Sequence, residues 1–251
     1  MTASVEISEE AGVRSLHFGS RWIQGAMRVA RPYALELEYT RAMMLALLLR
    51  TGSSWPRRVL LIGLGAASLT KFLYRNRPRA ALAVVEIDPA VVAAARQFFK
   101  LPDDPKRLAI EIADGHDYVA ASDREFDLVL VDGYDAKGRA GMLDMLPFYC
   151  NGRARLSERG VLVTNLLTRT RGITASLDRI REAFEGRARA MPACDSGNTI
   201  VIAATGERID MPLAELRAAA RELKRDTGLN LLPTIARLAD APVGSADRFQ
   251  L

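Results

Sequence analysis

The sequence predicts an α/β protein built on a doubly wound, Rossmann-like parallel sheet with a small N-terminal β-hairpin region. Short apolar runs alternate with helical segments from residue 58 onward, which is typical of a parallel sheet covered by helices. Three of these runs lead into an acidic residue: Glu86, Asp114 or Asp132. Because such sheets bind ligands beyond the carboxyl ends of their strands, the three acids indicate a common site.

The N-terminal region, residues 1–50, is predicted to hold a hairpin and a helix. VRSLHFG and WIQGAMRVA are two candidate strands separated by Gly19-Ser20-Arg21, and residues 35–50 carry apolar side chains at helical spacing. The sheet domain is predicted over residues 51–225. Residues 226–251 are predicted to be a loosely structured tail.

The sheet domain is predicted from an ordered series of strands and helices. The strands are Arg58–Ile62, Ala81–Val85, Leu108–Ile112, Phe126–Val131, Gly160–Asn165 and Thr199–Ala204, the last a candidate for antiparallel pairing. The helices are residues 67–76, Pro89–Phe99, Leu143–Leu156, Ile173–Phe184 and 212–225. Asp88 before Pro89 is a typical helix N-cap followed by proline at the first helical position.

The bulk composition indicates an ordinary globular protein. Of 251 residues, 49% are hydrophobic and 26% charged, with a net charge of +5. Lys and Arg are scattered rather than clustered, so no nucleic-acid partner is predicted. The N-terminus reads as polar and acidic, and the apolar stretch Ala42–Leu49 is too short to span a bilayer. A soluble cytoplasmic protein without membrane contact is expected.

Cysteine and histidine usage argues against a metal. Cys150 and Cys194 have no paired metal-ligand spacing, so both are expected to be reduced thiols. His17 and His116 are the only histidines in the sequence. No metal site is therefore predicted.

The first strand-to-helix turn and the end of the second strand predict an adenosine-type ligand. Gly63 and Gly65 allow a tight turn and close backbone approach to a ligand. Glu86 follows Gly65 by 21 residues, where an acid can accept both ribose hydroxyls. Glycines that serve packing alone, and an exposed strand-end carboxylate at Glu86, are the alternative interpretations.

Asp114 and Gly115 extend this ligand site. The Asp114 carboxylate is placed to accept the adenine amino group, and a neighbouring backbone N–H to meet a ring nitrogen. An ordinary Asp-Gly turn is the alternative. NAD is a rival ligand, but its fingerprint has a third glycine where this chain has Ser68.

The fourth strand leads into Asp132-Gly133-Tyr134-Asp135, which predicts amine chemistry. Two carboxylates at the mouth of the sheet can bind a cationic amine and accept its proton. Tyr134 is expected to pack along an aliphatic chain or to place its hydroxyl on the amine. Asp132 as a helix cap and Asp135 as a loop charge are the alternatives.

In these motifs the sequence resembles the polyamine aminopropyltransferases, or spermidine synthases, over roughly residues 12–205. The matching positions are Gly63, Gly65, Glu86, Asp114, Gly115, Asp132, Asp135, Gly138-Arg139-Ala140, Leu143 and Phe148-Tyr149. The resemblance implies that Asp132 is the proton acceptor and that Asp135 helps to hold a diamine. It also implies that Gln24, in an N-terminal strand, contacts the donor, and that Tyr39 belongs to a substrate-binding segment.

The sequence departs from this family where the aminopropyl group and the diamine are bound. Ala66 replaces an aspartate of the glycine-rich turn, and Arg41 stands where the family has a glutamate. Ala136 replaces a proline, and Asn198 an aromatic residue. The adenosine half of the site is thus expected to be kept and the acceptor half altered.

Three functions are compatible with these residues. The resemblance implies an enzyme that moves an aminopropyl group from decarboxylated S-adenosylmethionine to a small amine such as putrescine and releases methylthioadenosine. The alternative is a methyltransferase that uses intact S-adenosylmethionine on the same methyltransferase-type sheet. A non-catalytic nucleotide-sensing protein is the third. The resemblance and the short N-terminal region also imply a homodimer.

Overall fold

The computed structural model describes residues 4–19, 22–50, 52, 54–167, 172–194, 196–239 and 247–251. It begins with an antiparallel three-stranded sheet of Val5–Glu10 (β1), Val13–Phe18 (β2) and Gly25–Arg28 (β3). Ala11 and Gly12 connect β1 to β2 with φ of 48° and 74°, the left-handed conformation of a tight hairpin turn.

The predicted N-terminal hairpin is confirmed as β2 and β3, and the structure adds β1 as a third strand. β1 is half acidic and mostly exposed, so it lacks the apolar run used for prediction. Gln24 precedes β3 rather than lying within a strand, although its N–H donates to the Leu16 carbonyl at 2.8 Å. Ser20 and Arg21 of the predicted turn lie outside the described residues.

The helix predicted over residues 35–50 is shorter and divided. An α-helix covers Glu38–Met43 (α1), and a 3₁₀ helix follows over Met44–Leu48. Every residue from Ala42 to Leu49 is buried. Burial on all sides removes the amphipathic pattern that marks helix boundaries in a sequence.

The central sheet has seven strands, and every predicted strand is present. Their order is β6-β5-β4-β7-β8-β10-β9, with β4 to β8 parallel and with β10 antiparallel to β8 and β9. The strands are Arg58–Ile62 (β4), Ala81–Glu86 (β5), Leu108–Ile112 (β6), Phe126–Val131 (β7), Leu156–Leu167 (β8), Ala188–Ala190 (β9) and Asn198–Ala204 (β10). The doubly wound prediction is confirmed, with β9 as an additional short edge strand.

Helices cover both faces of this sheet, so its central strands are apolar on both sides. Along β4, Val59 and Leu61 join one buried cluster while Leu60 and Ile62 join the other. The helices are Ser68–Asn76 (α2), Pro89–Phe98 (α3), Gly115–Ala121 (α4), Leu146–Ala154 (α5), Thr174–Ala183 (α6), Leu213–Thr227 (α7) and Leu232–Ala239 (α8). A 3₁₀ helix covers Gly141–Asp144.

Two helix starts follow the same capping chemistry. Asp88 accepts the Ala90 N–H at 2.8 Å and caps α3, as predicted. Asp114 accepts the His116 N–H at 2.7 Å and caps α4. The sequence did not predict α4, because its Asp-Gly start is also a common turn dipeptide.

The prediction of a loosely structured tail is wrong for the described part of residues 226–251. Helix α8 packs there, and Arg248–Gln250 (β12) pairs with Asp210–Pro212 (β11). Ile235 and Phe249 are fully buried. Within the described ranges, no helix combines the length and apolarity needed to cross a bilayer.

Lys71 is a buried cation of the fold. It lies on α2 with no exposed surface, and its Nζ donates to the Phe99 carbonyl at 2.7 Å. This bond satisfies a free carbonyl at the end of α3. Burial, reinforced by Lys100, lowers the pKa of Lys71 to about 7.

We expect stability to rise between pH 7 and pH 9 because of Lys71. Its pKa is lowered on folding, so the unfolded chain binds the extra proton, and the free energy of unfolding increases as that proton is lost. Linkage gives a gain of about 2 kcal/mol over this interval. Urea denaturation at both pH values should show the gain, and Lys71→Met should abolish it. Lys224→Met, an exposed control on α7, should retain it. An equal pH response in all three proteins would contradict this assignment.

Candidate active site

A cavity of about 650 Å³ opens at the carboxyl edge of the central sheet. This volume lies within the range of small-molecule and cofactor sites. All ten site residues predicted from the sequence line it: Gln24, Tyr39, Gly63, Gly65, Glu86, Asp114, Gly115, Asp132, Tyr134 and Asp135. The structure thus brings the predicted set together, while the role of each residue remains a prediction.

Strand register explains why residues so distant in sequence meet at this edge. Ile62 on β4 lies beside Val85 on β5 and Val131 on β7, and Val131 lies beside Thr164 on β8. The residues that follow these partners emerge side by side above the sheet. They are Gly63, Glu86, Asp132 and Asn165.

Gly63 is required by the close approach of two backbones. Its φ is +91°, and a Cβ there would lie 2.3 Å from the carbonyl oxygen of Asp132. Any side chain would therefore displace the end of β7. The alternative interpretation, that this glycine serves packing, therefore accounts for Gly63. The same close approach places the turn directly against Asp132.

The N-terminal sheet lies against the same turn. A Cβ on Gly25 would lie 2.7 Å from the Cβ of Ala66, so the backbone of β3 covers Ala66. Ala66 is 2% exposed. This contact places Gln24, the neighbour of Gly25, at the rim of the cavity beside Gly65.

Glu86 is a buried carboxylate held in a fixed orientation. Its Oε2 accepts the Leu64 N–H at 2.8 Å, and its Oε1 accepts the Asp88 N–H at 3.0 Å. Burial raises its pKa, while these backbone donors act in the opposite direction. The side chain is only 8% exposed, so the exposed-carboxylate interpretation is wrong. Glu86 lines the cavity, and its carboxylate keeps lone pairs that can accept further hydrogen bonds.

Asp114 also lines the cavity. Its Oδ1 is occupied by the α4 cap bond, and the side chain is exposed. With His116 and Asp117 it forms a cluster whose ligand atoms lie within 4.8 Å of one another. The His116 Nδ1 bonds Asp117 at 3.0 Å. Helix capping and this bond account for the cluster, and the absence of a metal remains a prediction.

Asp132 is a half-buried carboxylate that lines the cavity. Tyr39 donates its hydroxyl to Oδ2 at 3.0 Å, and Asn165 donates its amide to Oδ1 at 2.8 Å. Burial raises the pKa of Asp132, and both hydrogen bonds oppose that rise. Asp132 bonds no helix terminus among the described residues, so the helix-cap interpretation is wrong. A carboxylate with a raised pKa is a better proton acceptor than an ordinary one.

Two asparagines behind Asp132 were not predicted as site residues. Asn198 donates its amide to Asn165 Oδ1 at 2.9 Å, and Ser196 donates to Asn198 Oδ1 at 2.8 Å. This chain fixes the Asn165 amide so that its nitrogen faces Asp132. Asn165 comes from β8 and Asn198 from β10, so no local motif joins them. A buried amide at the end of each apolar strand was the available signal.

Tyr134 and Asp135 are both engaged with protein groups. The Tyr134 hydroxyl donates to the Asn165 carbonyl at 2.5 Å, and burial raises its pKa above the ordinary value. Asp135 is ion-paired with Arg139 at 2.7 Å and accepts two backbone N–H groups. Burial is the largest single effect and raises the pKa of Asp135, but the bonds and charge of Arg139 and the Lys137 N–H together leave that pKa lowered. Asp135 therefore organises its loop as well as lining the cavity.

In the segment around Tyr39, Glu38 lines the cavity and Arg41 does not. The Arg41 guanidinium donates to the carbonyls of Leu35 and Glu36, at 3.1 and 2.7 Å, rather than facing the cavity. Glu38 does line the cavity and is ion-paired with Arg237 of α8. Glu38 was not predictable from local sequence because its partner lies 199 residues away.

The sheet order and the cavity at its carboxyl edge define a Rossmann-like α/β protein with a ligand-sized site. A family model described as the spermine/spermidine synthase domain matches residues 37–188, more than half of the chain. The chain belongs to the spermine/spermidine synthase family. The prediction of a spermidine synthase-like transferase is confirmed at this level.

Individual proteins agree with this assignment. The polyamine aminopropyltransferase of Chromobacterium violaceum is 38% identical over 234 residues, covering 93% of this chain and 88% of that protein. A probable spermidine synthase from Corynebacterium glutamicum has the same fold, with a TM-score of 0.74, 21% identity and coverage of 88% and 83%. Human methyltransferase-like protein 13, solved with SAH, also shares it, with a TM-score of 0.66, 24% identity and coverage of 83% and 95%.

We expect the pKa of Asp132 to rise in the Asn198→Val variant. Without Asn198, the Asn165 amide is free to turn away, and a hydrogen bond that stabilises the ionised carboxylate is weakened. Carbon-13 NMR titration of labelled aspartate side chains measures this pKa directly. Asn230→Val, at an exposed position, is the matched control and should leave it unchanged. An unaltered Asp132 titration in both variants would show that the asparagine chain does not tune it.

Proposed function

We propose that the protein transfers an aminopropyl group from decarboxylated S-adenosylmethionine to a small primary amine, with putrescine as the reference acceptor. The observation that carries this proposal is a half-buried Asp132, oriented by Tyr39 and Asn165, in the same cavity as Glu86. A proton acceptor and a ribose-type carboxylate are both needed for amine attack on an adenosyl sulfonium.

The residues divide between two halves of the reaction. Glu86 is proposed to accept the ribose hydroxyls, Asp114 and Gly115 to border the adenine, and Gln24, just before β3, to contact the donor. The turn at Gly63 and Gly65 lets the donor approach the backbone. Tyr39, Tyr134 and Asp135 are proposed to border the acceptor amine.

Asp132 is proposed to act as the base. The neutral amine nitrogen attacks the propyl carbon bonded to sulfur, so a C–N bond forms as the C–S bond breaks. The electron pair of that bond passes to the sulfonium, which leaves as neutral methylthioadenosine. The carboxylate stabilises the developing ammonium and accepts its proton. Burial raises the pKa of Asp132, so the active ionised form appears at higher pH than for an exposed aspartate.

A methyltransferase that uses intact S-adenosylmethionine is the second candidate. Ala66 at the turn lacks the carboxylate that would repel the carboxylate of this donor. Lys137 and Arg139 also line the cavity and supply positive charge. Without a methyl-acceptor motif this function ranks second. We further propose a cytoplasmic homodimer that uses neither metal nor nucleic acid.

The donor assay separates the two candidates. The protein is incubated with putrescine and either decarboxylated or intact S-adenosylmethionine, and the products are resolved by mass spectrometry. Methylthioadenosine from the decarboxylated donor alone is the expected result. S-adenosylhomocysteine from the intact donor would instead establish methyl transfer.

We expect Asp132→Asn to lower turnover by about a hundredfold or more, because an amide cannot accept the proton. Donor binding should be retained. Turnover is followed as methylthioadenosine release, and donor binding by calorimetry. Asp123→Asn, an exposed aspartate before β7, is the control with unchanged rates. Retained turnover in the Asp132 variant would remove it as the base.

We expect Glu86→Gln to weaken binding of methylthioadenosine about tenfold or more. The amide replaces an acceptor for ribose hydroxyls, and it also weakens the bond from the Leu64 N–H. Calorimetry measures the affinity, and thermal unfolding checks that the turn stays folded. Glu111→Gln, exposed on β6, is the matched control. Equal affinity in both variants would place the ribose elsewhere.

A further inference from the structure

Besides Glu86 and Asp114, which are proposed to bind the adenosine, three acidic side chains line the cavity. They differ in how their charge is compensated. Asp135 is ion-paired with Arg139, and Glu38 is ion-paired with Arg237. Asp132 accepts hydrogen bonds from two neutral side chains instead. Among the described residues, Asp132 is therefore the one carboxylate of the three without an ionic partner.

This distribution suits a single ammonium group. A primary amine arrives protonated at neutral pH and finds its counter-charge at Asp132. A diamine brings a second ammonium, which needs another carboxylate or must stay in water. Glu38 is placed for it, because it lines the cavity beside Tyr39, the residue bonded to Asp132. Arg237 already holds that carboxylate.

The ion pair between Glu38 and Arg237 is sheltered rather than freely exposed. The side chains are 23% and 29% exposed, so solvent and salt screen their interaction less than at an open surface. The Nε of Arg237 is buried without a hydrogen-bond partner. A second contact, 4.0 Å from its guanidinium to the Cys194 sulfur, holds the group against β10 and its loop. Arg237 is thus fixed beside Glu38.

Arg237 comes from α8, which lies beyond the segment matched by the family domain, residues 37–188. We infer that this C-terminal helix contributes a specificity residue to the acceptor site. Arg237 acts through Glu38: it already neutralises the carboxylate that the second ammonium of a diamine would need, so the protein does not favour diamines over monoamines. The inference rests on the proposed function, because it takes the acceptor to be an amine bound at Asp132.

Amine binding tests the inference without requiring turnover. Affinities for butane-1,4-diamine and butan-1-amine are measured by calorimetry in the presence of methylthioadenosine. The native protein should bind the two amines within about threefold of each other. Arg237→Met should bind the diamine about tenfold more tightly than the native protein does, with little change for the monoamine, because Glu38 becomes available.

A double variant shows whether the gain acts through Glu38. Glu38→Gln combined with Arg237→Met should lose the diamine preference that Arg237→Met alone creates. Arg221→Met, exposed on α7, is the control with native affinities. If the methionine variant does not fold, Arg237→Gln is used in its place, because it keeps a polar group beside Glu38.

Two results would overturn the inference. If the native protein already binds the diamine tenfold more tightly than the monoamine, and Arg237→Met leaves that ratio unchanged, Arg237 is not a specificity residue. That outcome leaves the proposed transferase intact. If no folded variant binds either amine while methylthioadenosine still binds, the amine acceptor itself is wrong, and the inference fails with it.

Discussion

The site depends on one close approach between backbones, where the turn after β4 passes the end of β7. Gly63 has a left-handed φ and no side chain, which lets it lie against the carbonyl of Asp132. The Asp132 N–H in turn donates to the Ile62 carbonyl at 2.9 Å. The turn at Gly63 and the candidate base therefore form one rigid unit. Rigid elements hold reacting groups more accurately than separate loops do.

Around that unit, local sequence determined much of the structure. The parallel strands were predictable because β-branched and leucine-rich runs buried on both faces have few other solutions. Their terminal acids were predictable as site residues because all parallel strands end at the same edge. The start of α4 was not predictable, and neither was the division between α1 and the 3₁₀ helix that follows Met43. Capping and burial at these positions are decided by neighbouring elements.

The acceptor half of the cavity was less predictable because its determinants are non-local. Asn198 acts on Asp132 only through Asn165, across two strands that the chain visits 33 residues apart. Arg237 reaches Glu38 from a segment that the sequence suggested was unstructured. Conversely, the position of Arg41 in the sequence suggested a charge unfavourable to a diamine, yet its guanidinium donates to nearby backbone carbonyls. Side-chain direction, rather than residue type, separates these cases.

The contact between Gly25 and Ala66 constrains how this protein can diverge further. Ala66 lies beneath the backbone of β3, where even the Cβ of an alanine at position 25 would overlap it. Ala66 is 2% exposed and β3 is among its neighbours, so we expect a larger acidic side chain at position 66 to displace β3, and Gln24 with it. The two positions are therefore epistatic. A mutational route from this turn to an aspartate-bearing one has to pass through the N-terminal sheet rather than through the turn alone.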